Sequence, residues 1–450
     1  MRKNGIAYNM ALLTTTGIIT KTVDFTFRAY YSKHLGAEGM GIYSLIMSIF
    51  GIVLSLSSAG MGVAVSRLVS IREEQGNKTG AVSVVKTAVF MVFCVGAVCI
   101  CIVLFFAEWI SAVILKDVRC VPGLLCIAPA SMFMGISYCI KGYFYGIRKV
   151  IIPAGSEFVE QAVKIISISI FLKQGLGFGV EYGCAGVLLG LTIGEMSSCL
   201  YLVIWYLVRT KGEKSEDVPV KSILNMTVPM TLSAVGNSFF RMVEDVWTID
   251  GLEMSGEENA MEIYGLIRGM TMPLLVFPLN LISSFMALLV PEVSRAEENG
   301  KLKTIVRRVG KTGLLFGFMV FAVFYVFAEE ISCTVYGTSA AAAYIKPLCA
   351  LCPVMIIDSL SGGMLGGLGE QSTLLRYSIA DTALRLAIIY FILPLKGTMV
   401  IIIMTFLSNF LTCGLNVQKI RKKAGEYILL KDIIKLAIYT VVAISLYQII

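Results

Sequence analysis

The chain has 450 residues, 57% of them hydrophobic and only 15% charged, with a formal net charge of +8. Soluble domains average roughly a quarter charged residues, so this sequence lacks the polar side chains that a water-facing surface needs. That excludes a soluble enzyme or a nucleic-acid binder and leaves an all-α membrane protein, whose basic residues act first as orientation signals.

The N-terminus, MRKNG, carries Arg2 and Lys3 ahead of a long apolar run with no A-x-A cleavage site, so it reads as a retained segment that starts on the cytoplasmic side. Apolar runs of about 20 residues, the length that spans a bilayer, lie near 6–31, 39–65, 82–107, 121–140, 151–172 and 184–208. A second set lies near 222–247, 261–290, 309–328, 345–365, 374–393 and 397–416, and a last segment covers 432–450, which makes thirteen expected spans. Lys and Arg alternate with this topology: those in loops assigned to the cytoplasm outnumber those in loops outside by roughly 25 to 6. Among the cytoplasmic cations are Lys141, Arg148, Lys149 and the QKIRKK run.

The first span contains KTVDFTFRAY, in which Lys21, Asp24 and Arg28 fall within about 60° of one another at 100° per residue. A charge at the bilayer centre costs about 2.5–3.5 kcal/mol even on the insertion scale, so such groups face a partner or a cavity. Two readings stand: a self-neutralised stripe packed on a neighbouring helix, or, since two cations flank one acid, one wall of an anion site. Further along, the fifth span holds Glu157, Glu160 and Lys164, and the sixth holds Glu195 with no evident partner. The seventh span carries Arg241, Glu244 and Asp245, the eighth Arg268 with Pro273 and Pro278, and the eleventh Asp381 and Arg385. Cations on spans one, seven and eight would together line a central cavity. The pairs Glu160/Lys164 and Asp381/Arg385 are i,i+4 pairs in the favourable order. They read either as structural clamps or as groups that couple to a proton or a small cation. His34 reads as a surface residue at an outer helix end. The twelve cysteines lie mostly in apolar runs and the CALC at 349–352 has no second ligand pair, so no metal site is expected.

Compared with itself, the sequence repeats at an offset of 221 residues: IYSLI at 42–46 falls on IYGLI at 263–267, GYFYG from Gly142 on GMLGG from Gly363, and EQAVK at 160–164 on DTALR at 381–385. Six spans separate equivalent points, so both halves have the same orientation and form parallel repeats with a substrate site between them. The expected layout is an N-terminal lobe at 1–210, a linker at 211–221, a second lobe at 222–416, and a basic loop with a terminal helix at 417–450. The offset drifts in the second span, where VSR at 65–67 corresponds to VSR at 293–295.

The blocks LGAEGMGIYSL at 35–45, SSAGMGVAVSRLVS at 57–70, KGYFYGIRKVIIPAGSEFVEQ at 141–161 and VFPLNLISSFMALLVPEVSRA at 276–296 closely resemble the stage V sporulation protein B group of polysaccharide transporters. That group belongs to the multidrug, oligosaccharidyl-lipid and polysaccharide (MOP) exporter superfamily. The resemblance implies two six-helix lobes, a V-shaped cavity, and movement of lipid-linked sugar precursors to the outer leaflet of a bacterial cytoplasmic membrane. Lipid II flippases of this superfamily line that cavity with arginines, and Arg28 and Arg268 are the positions here that fit the pattern. The leading expectation is therefore a flippase for polyprenyl-pyrophosphate-linked oligosaccharide or lipid II-like precursors, working as a monomer by alternating access. In it Lys21, Arg28, Arg241 and Arg268 would hold phosphate. No P-loop is present, so no nucleotide cofactor is expected; an ion gradient of Na+ or H+, or the membrane potential, would supply energy. The rival reading is a cation-coupled multidrug antiporter, favoured if Asp24, Glu244 and Asp245 face the lumen. A membrane glycosyltransferase would need a large outer catalytic loop, which is lacking.

Overall fold

The structure is a computed structural model that describes residues 2–212, 220–425, 434–440 and 444–445; for 2–11, 13, 283–292, 294 and 298 the description is of backbone alone. The described residues form helices joined by short turns, without strands. Their contacts group into Met1–Val246 and Trp247–Ile450.

The first unit contains α1 (Arg2–Ser58), α2 (Met61–Glu74), α3 (Lys78–Trp109), α4 (Val121–Ile127), α5 (Ala130–Gly146), α6 (Ile151–Leu176), α7 (Val180–Arg209) and most of α8 (Val220–Met254). The long α1 is two expected spans in one: at Gly36 the backbone turns to φ 70, ψ −176 and interrupts the helix. Beside this break, Arg119 bonds Glu38 and Asp117 and ties the turn to the segment before α4. The second unit contains α9 (Ala260–Tyr264), α10 (Met272–Glu298), α11 (Leu302–Val326), α12 (Ala328–Tyr336), α13 (Ala342–Leu348), α14 (Cys352–Gly367), α15 (Gln371–Phe391), α16 (Leu393–Lys396) and α17 (Thr398–Ala424).

Twelve of the expected spans fall on these helices, while most of the thirteenth, 432–450, lies outside the described residues. Among the described residues, eight stretches are long and apolar enough by composition alone to cross a membrane. The long helices that miss this standard, α6, α8 and α15, hold the charges expected within spans: Glu157, Glu160 and Lys164; Arg241, Glu244 and Asp245; Asp381 and Arg385, of which Lys164, Glu244, Asp245 and Asp381 are buried. The division between units falls within α8 rather than at 211–221, of which 213–219 lie outside the described residues. Hydrogen bonds account for this, since Ser238 meets Ser55 at 2.9 Å and the Thr231 hydroxyl donates to the Ala59 carbonyl at 3.1 Å.

The repeat is written into the backbone. Lys116 and Gly337, and Arg148 and Gly369, are pairs at the 221-residue offset, and all four have positive φ. Left-handed residues Gly36 and Gly256, Gly76 and Gly300, and Gly179 and Gly397 match at nearby offsets. Positive φ is strained for a residue with a side chain, so Lys116 and Arg148 keep a turn that the second unit makes with glycine. Gly60, at φ 76, is different. It breaks the second span between α1 and α2, whereas the corresponding stretch of α10 runs unbroken.

In lipid, helices gain little from apolar contact alone, and close packing through small residues takes over. Gly186, Gly190 and Gly194 on α7 face Phe171, Ile168 and Lys164 on α6, with backbone or Cβ atoms where a side chain would go. Similarly, a Cβ on Gly142 of α5 would stand 2.6 Å from the Gly62 carbonyl oxygen of α2. The apolar interior of the first unit is built around Val65, Val85, Val92, Phe144 and Leu202, and that of the second around Val306, Ile356, Ile357 and Met364. Large apolar side chains such as Phe90 and Phe105 on α3 point outward, as a lipid-facing surface requires.

Candidate functional site

Lys21, Asp24, Lys141, Glu157, Glu160, Lys164 and Glu195 of the first unit form one network. Tight packing of Gly194 against the Cβ of Lys164 buries that lysine between α6 and α7. Its ammonium meets Asp24 of α1 at 2.5 Å and Glu160 at 3.6 Å, and its side chain is 8% exposed. Asp24 thus joins a cation 140 residues away, a third arrangement beside the two read from the helix stripe. Glu195, which has no partner visible in the sequence, stands within electrostatic reach of Glu160, Lys141, Lys164 and Asp24. Glu157 lies within reach of Lys141, Glu160, Asp24 and Lys21. Arg28 holds its guanidinium 5.5 Å from the centre of the Tyr43 ring on the second half of α1, a cation–π contact.

On the side carrying the basic residues of α5 and the α5–α6 turn, the same unit opens into a cavity of about 1130 Å³. Its walls come from α2, α5, the start of α6 and Met230 of α8. Arg67, Lys141 and Arg148 are its cations, Glu157 its acid, and Ser58, Ser66, Ser70, Tyr138 and Tyr145 supply hydroxyls. The helix break at Gly60 and the glycine contact of α2 with α5 form its floor. Arg148 also faces Glu74 at 4.0 Å.

The remaining expected residues are placed separately. On α8, Glu244 and Asp245 are buried while Arg241 is exposed. Arg268 is half-buried in a π-helical turn, Gly265–Thr271. His34 is exposed, and its Nδ1 lies 2.8 Å from the Tyr30 carbonyl. In the second unit Arg385 Nε meets Asp381 at 3.2 Å, and the Ser408 hydroxyl donates to the same carboxylate. Asn416 donates to Asp358 at 2.8 Å, which adds α14 and α17 to the polar interior. Neither Asp358 nor Asn416 carries a local signal in the sequence. Lys141 and Arg148 did carry one: under the 221 offset they fall on Gly362 and Gly369, so they belong to one half only, whereas Arg67 recurs as Arg295.

At the turn between α14 and α15, Glu370 accepts from the Thr373 hydroxyl at 2.6 Å and pairs with Lys419 and Lys423 of α17, each at 3.1 Å. These three donors lower its carboxyl to about 2 from an ordinary 4.5. A depressed carboxylate stabilises the fold above its unfolded pKa, and that contribution fades as pH falls through the folded value. The melting difference between wild type and Glu370→Gln is therefore expected to be constant above about pH 5 and to vanish on acidification toward about pH 2. A difference independent of pH would show that the clasp contributes nothing.

The fold is similar to the inward-facing conformation of a multidrug resistance MATE family transporter of the MOP superfamily, with a TM-score of 0.71 at 16% identity, covering 92% of this chain and 98% of that one. A MOP superfamily transporter from Pyrococcus furiosus, reported with a binding pocket of reverse polarity, matches with a TM-score of 0.66 at 17% identity, over 92% and 95% of the two chains. Helices, spans and fold together define a multi-pass membrane protein with the fold of these transporters. Residues 6–297 match the profile of the polysaccharide biosynthesis protein family, and the chain belongs to that family. Stage V sporulation protein B of Bacillus subtilis is 26% identical over 360 residues, covering 77% of this chain and 70% of that protein. The uncharacterized membrane protein YabM of the same organism is 24% identical over 409 residues, covering 85% and 70%.

Proposed function

We propose that this transporter is a flippase for polyprenyl-pyrophosphate-linked oligosaccharide or lipid II-like precursors in a bacterial cytoplasmic membrane. The observation that carries this reading is the cavity of the first unit, with three cations against one acid and a rim of hydroxyls. Guanidinium and ammonium groups bind phosphate through charge-assisted hydrogen bonds, and serine and tyrosine hydroxyls match the polar edges of a sugar. A volume of about 1130 Å³ is ample for a head group, while the polyprenyl tail stays in lipid. The basic loops beside the cavity favour a cytoplasmic mouth, with the N-terminus on that side. In this reading the protein works as a monomer by alternating access. Lys21, Arg28, Arg241 and Arg268 take the head group onward, and membrane potential or a Na+ or H+ gradient drives the cycle.

The test is reconstitution in liposomes with a labelled lipid-linked oligosaccharide. Accelerated transbilayer movement is expected, and Arg28→Ala is expected to slow it about tenfold through loss of a charge-assisted contact. Absence of acceleration overturns the reading. If a cationic drug is exchanged for Na+ or protons instead, the multidrug antiporter takes its place.

A further inference from the structure

We infer that Glu157 is a resident competitor in the cavity of the first unit, a carboxylate that occupies the cations until the diphosphate of the carried head group displaces it. The inference rests on the flippase reading for the identity of that head group and on four observations for the device.

Glu157 is the acid among the residues that line the cavity, where it shares the space with Arg67, Lys141 and Arg148. It lies within electrostatic reach of Lys141 in the cavity and of Lys21 on α1. A carboxylate released from Lys141 therefore has a second cation to turn toward, on the helix that bears Arg28. The repeat then separates this acid from its neighbour. Glu160 and Lys164 recur in the second half as Asp381 and Arg385, and both pairs are formed. Glu157, by contrast, falls on Ser378, and the cavity residues Tyr138, Lys141, Tyr145 and Arg148 fall on Ser359, Gly362, Gly366 and Gly369. Glu157 and two of the three cations, Lys141 and Arg148, are thus present together in one half and absent together from the other, while Arg67 recurs as Arg295. Lastly, the cavity wall is broken at Gly60, a turn with no equivalent in α10.

The chemistry follows from charge balance. Without Glu157 the cavity would keep Arg67 and Lys141, and Arg148 with Glu74 at 4.0 Å, and would hold any small phosphate tightly. With Glu157 in place, an incoming anion must exceed one carboxylate to win Lys141. A disubstituted diphosphate has one ionised oxygen on each phosphorus and can bridge two cations at once, whereas a single phosphate replaces Glu157 with little gain. Glu157 therefore sets selectivity for diphosphate over monophosphate and hands its own charge to Lys21 when the substrate is seated.

The experiment uses the full-length protein in nanodiscs, with inorganic pyrophosphate and inorganic phosphate as probes and calorimetric titration as the readout. Glu157→Gln is expected to bind pyrophosphate about threefold tighter, the size of one partly exposed charge pair, and to gain still more for phosphate, so that discrimination narrows. Glu157→Ser, which installs the residue of the second half, is expected to act alike. Lys141→Gln is expected to weaken pyrophosphate about tenfold, and Lys149→Gln, an exposed cation outside the cavity, to leave it unchanged. Affinity in both Glu157 variants equal to or below that of the wild type overturns the inference. That result leaves the flippase reading standing, because binding is read without transport. Conversely, tightened binding in a protein that moves no lipid-linked saccharide sinks the flippase reading and keeps the seat. Pyrophosphate added on the side of the basic loops is further expected to slow lipid-linked saccharide movement; equal rates with and without it overturn the assignment of the seat to the carried head group.

Discussion

Replacing Lys164 by methionine is expected to cost about 1–3 kcal/mol of stability, because it removes a buried cation and leaves behind partly buried Glu160 and half-exposed Asp24. The Lys164 ammonium meets Asp24 at 2.5 Å and Glu160 at 3.6 Å, and Glu195 stands in the same field. Without it, two carboxylates on adjoining helices repel in a medium that screens poorly. Methionine fills nearly the same volume, so the loss reports charge and not a cavity. The same logic predicts rescue: Lys164→Met combined with Asp24→Asn and Glu160→Gln should lie within about 1 kcal/mol of wild type, since a neutral polar cluster has no unpaired charge. Arg385→Met in the second unit should cost less, because the Arg385 side chain is 26% exposed against 8% for Lys164. Thermal melting of the purified proteins in one detergent orders the four. A Lys164→Met protein as stable as wild type would falsify the network as a structural element.

The second large effect comes from the glycines of α5 and α14, where the same substitution is expected to have opposite signs at Gly142 and at Gly362, the residue before the repeat counterpart of Gly142, Gly363. A Cβ on Gly142 would meet the Gly62 carbonyl oxygen at 2.6 Å and the Val65 Cβ at 3.2 Å. A carbonyl cannot rotate aside, so α2 and α5 must separate, and Gly142→Ala is expected to cost about 1–3 kcal/mol as overpacking. Since this contact forms the cavity floor, pyrophosphate binding should weaken along with melting temperature. Gly362 of α14, by contrast, has nothing within 4 Å of the position of a Cβ. There Gly→Ala is expected to stabilise by about 0.5–1 kcal/mol, the helix-propensity gain alone. Equal effects at the two sites would show that the contact seen at Gly142 does not constrain the helices.

These residues also mark how far the sequence could be read. Twelve spans, their parallel repeat and the pairs Glu160/Lys164 and Asp381/Arg385 depend on hydropathy and on spacing within one helix, both local properties. The 221 offset even identifies turns: Arg148 and Gly369 share a left-handed backbone although their side chains differ. Other relations had no local trace. Glu195 looks isolated in its span, yet helix packing sets it beside Lys164 and Lys141. Arg67, Lys141 and Arg148 read in sequence as orientation signals, because the positive-inside rule accounts for such cations without asking what they surround.

The stretch KTVDFTFRAY shows where the boundary lies. Its three charges share a helix face because 100° per residue puts them there, and the cost of burying charge in lipid dictates that they have partners. The sequence alone settled that much, together with the membrane class, the span order and the two-fold repetition of the chain. Which partners they have was decided by tertiary structure: Asp24 is held by Lys164 because the glycines of α7 let α6 approach closely enough to bury that lysine at the depth of α1. Lys21 and Glu157 are likewise neighbours only once α1 and α6 are packed together. Pairing across 140 residues depends on helix depth and rotation. Those are set by packing between helices rather than by periodicity within one.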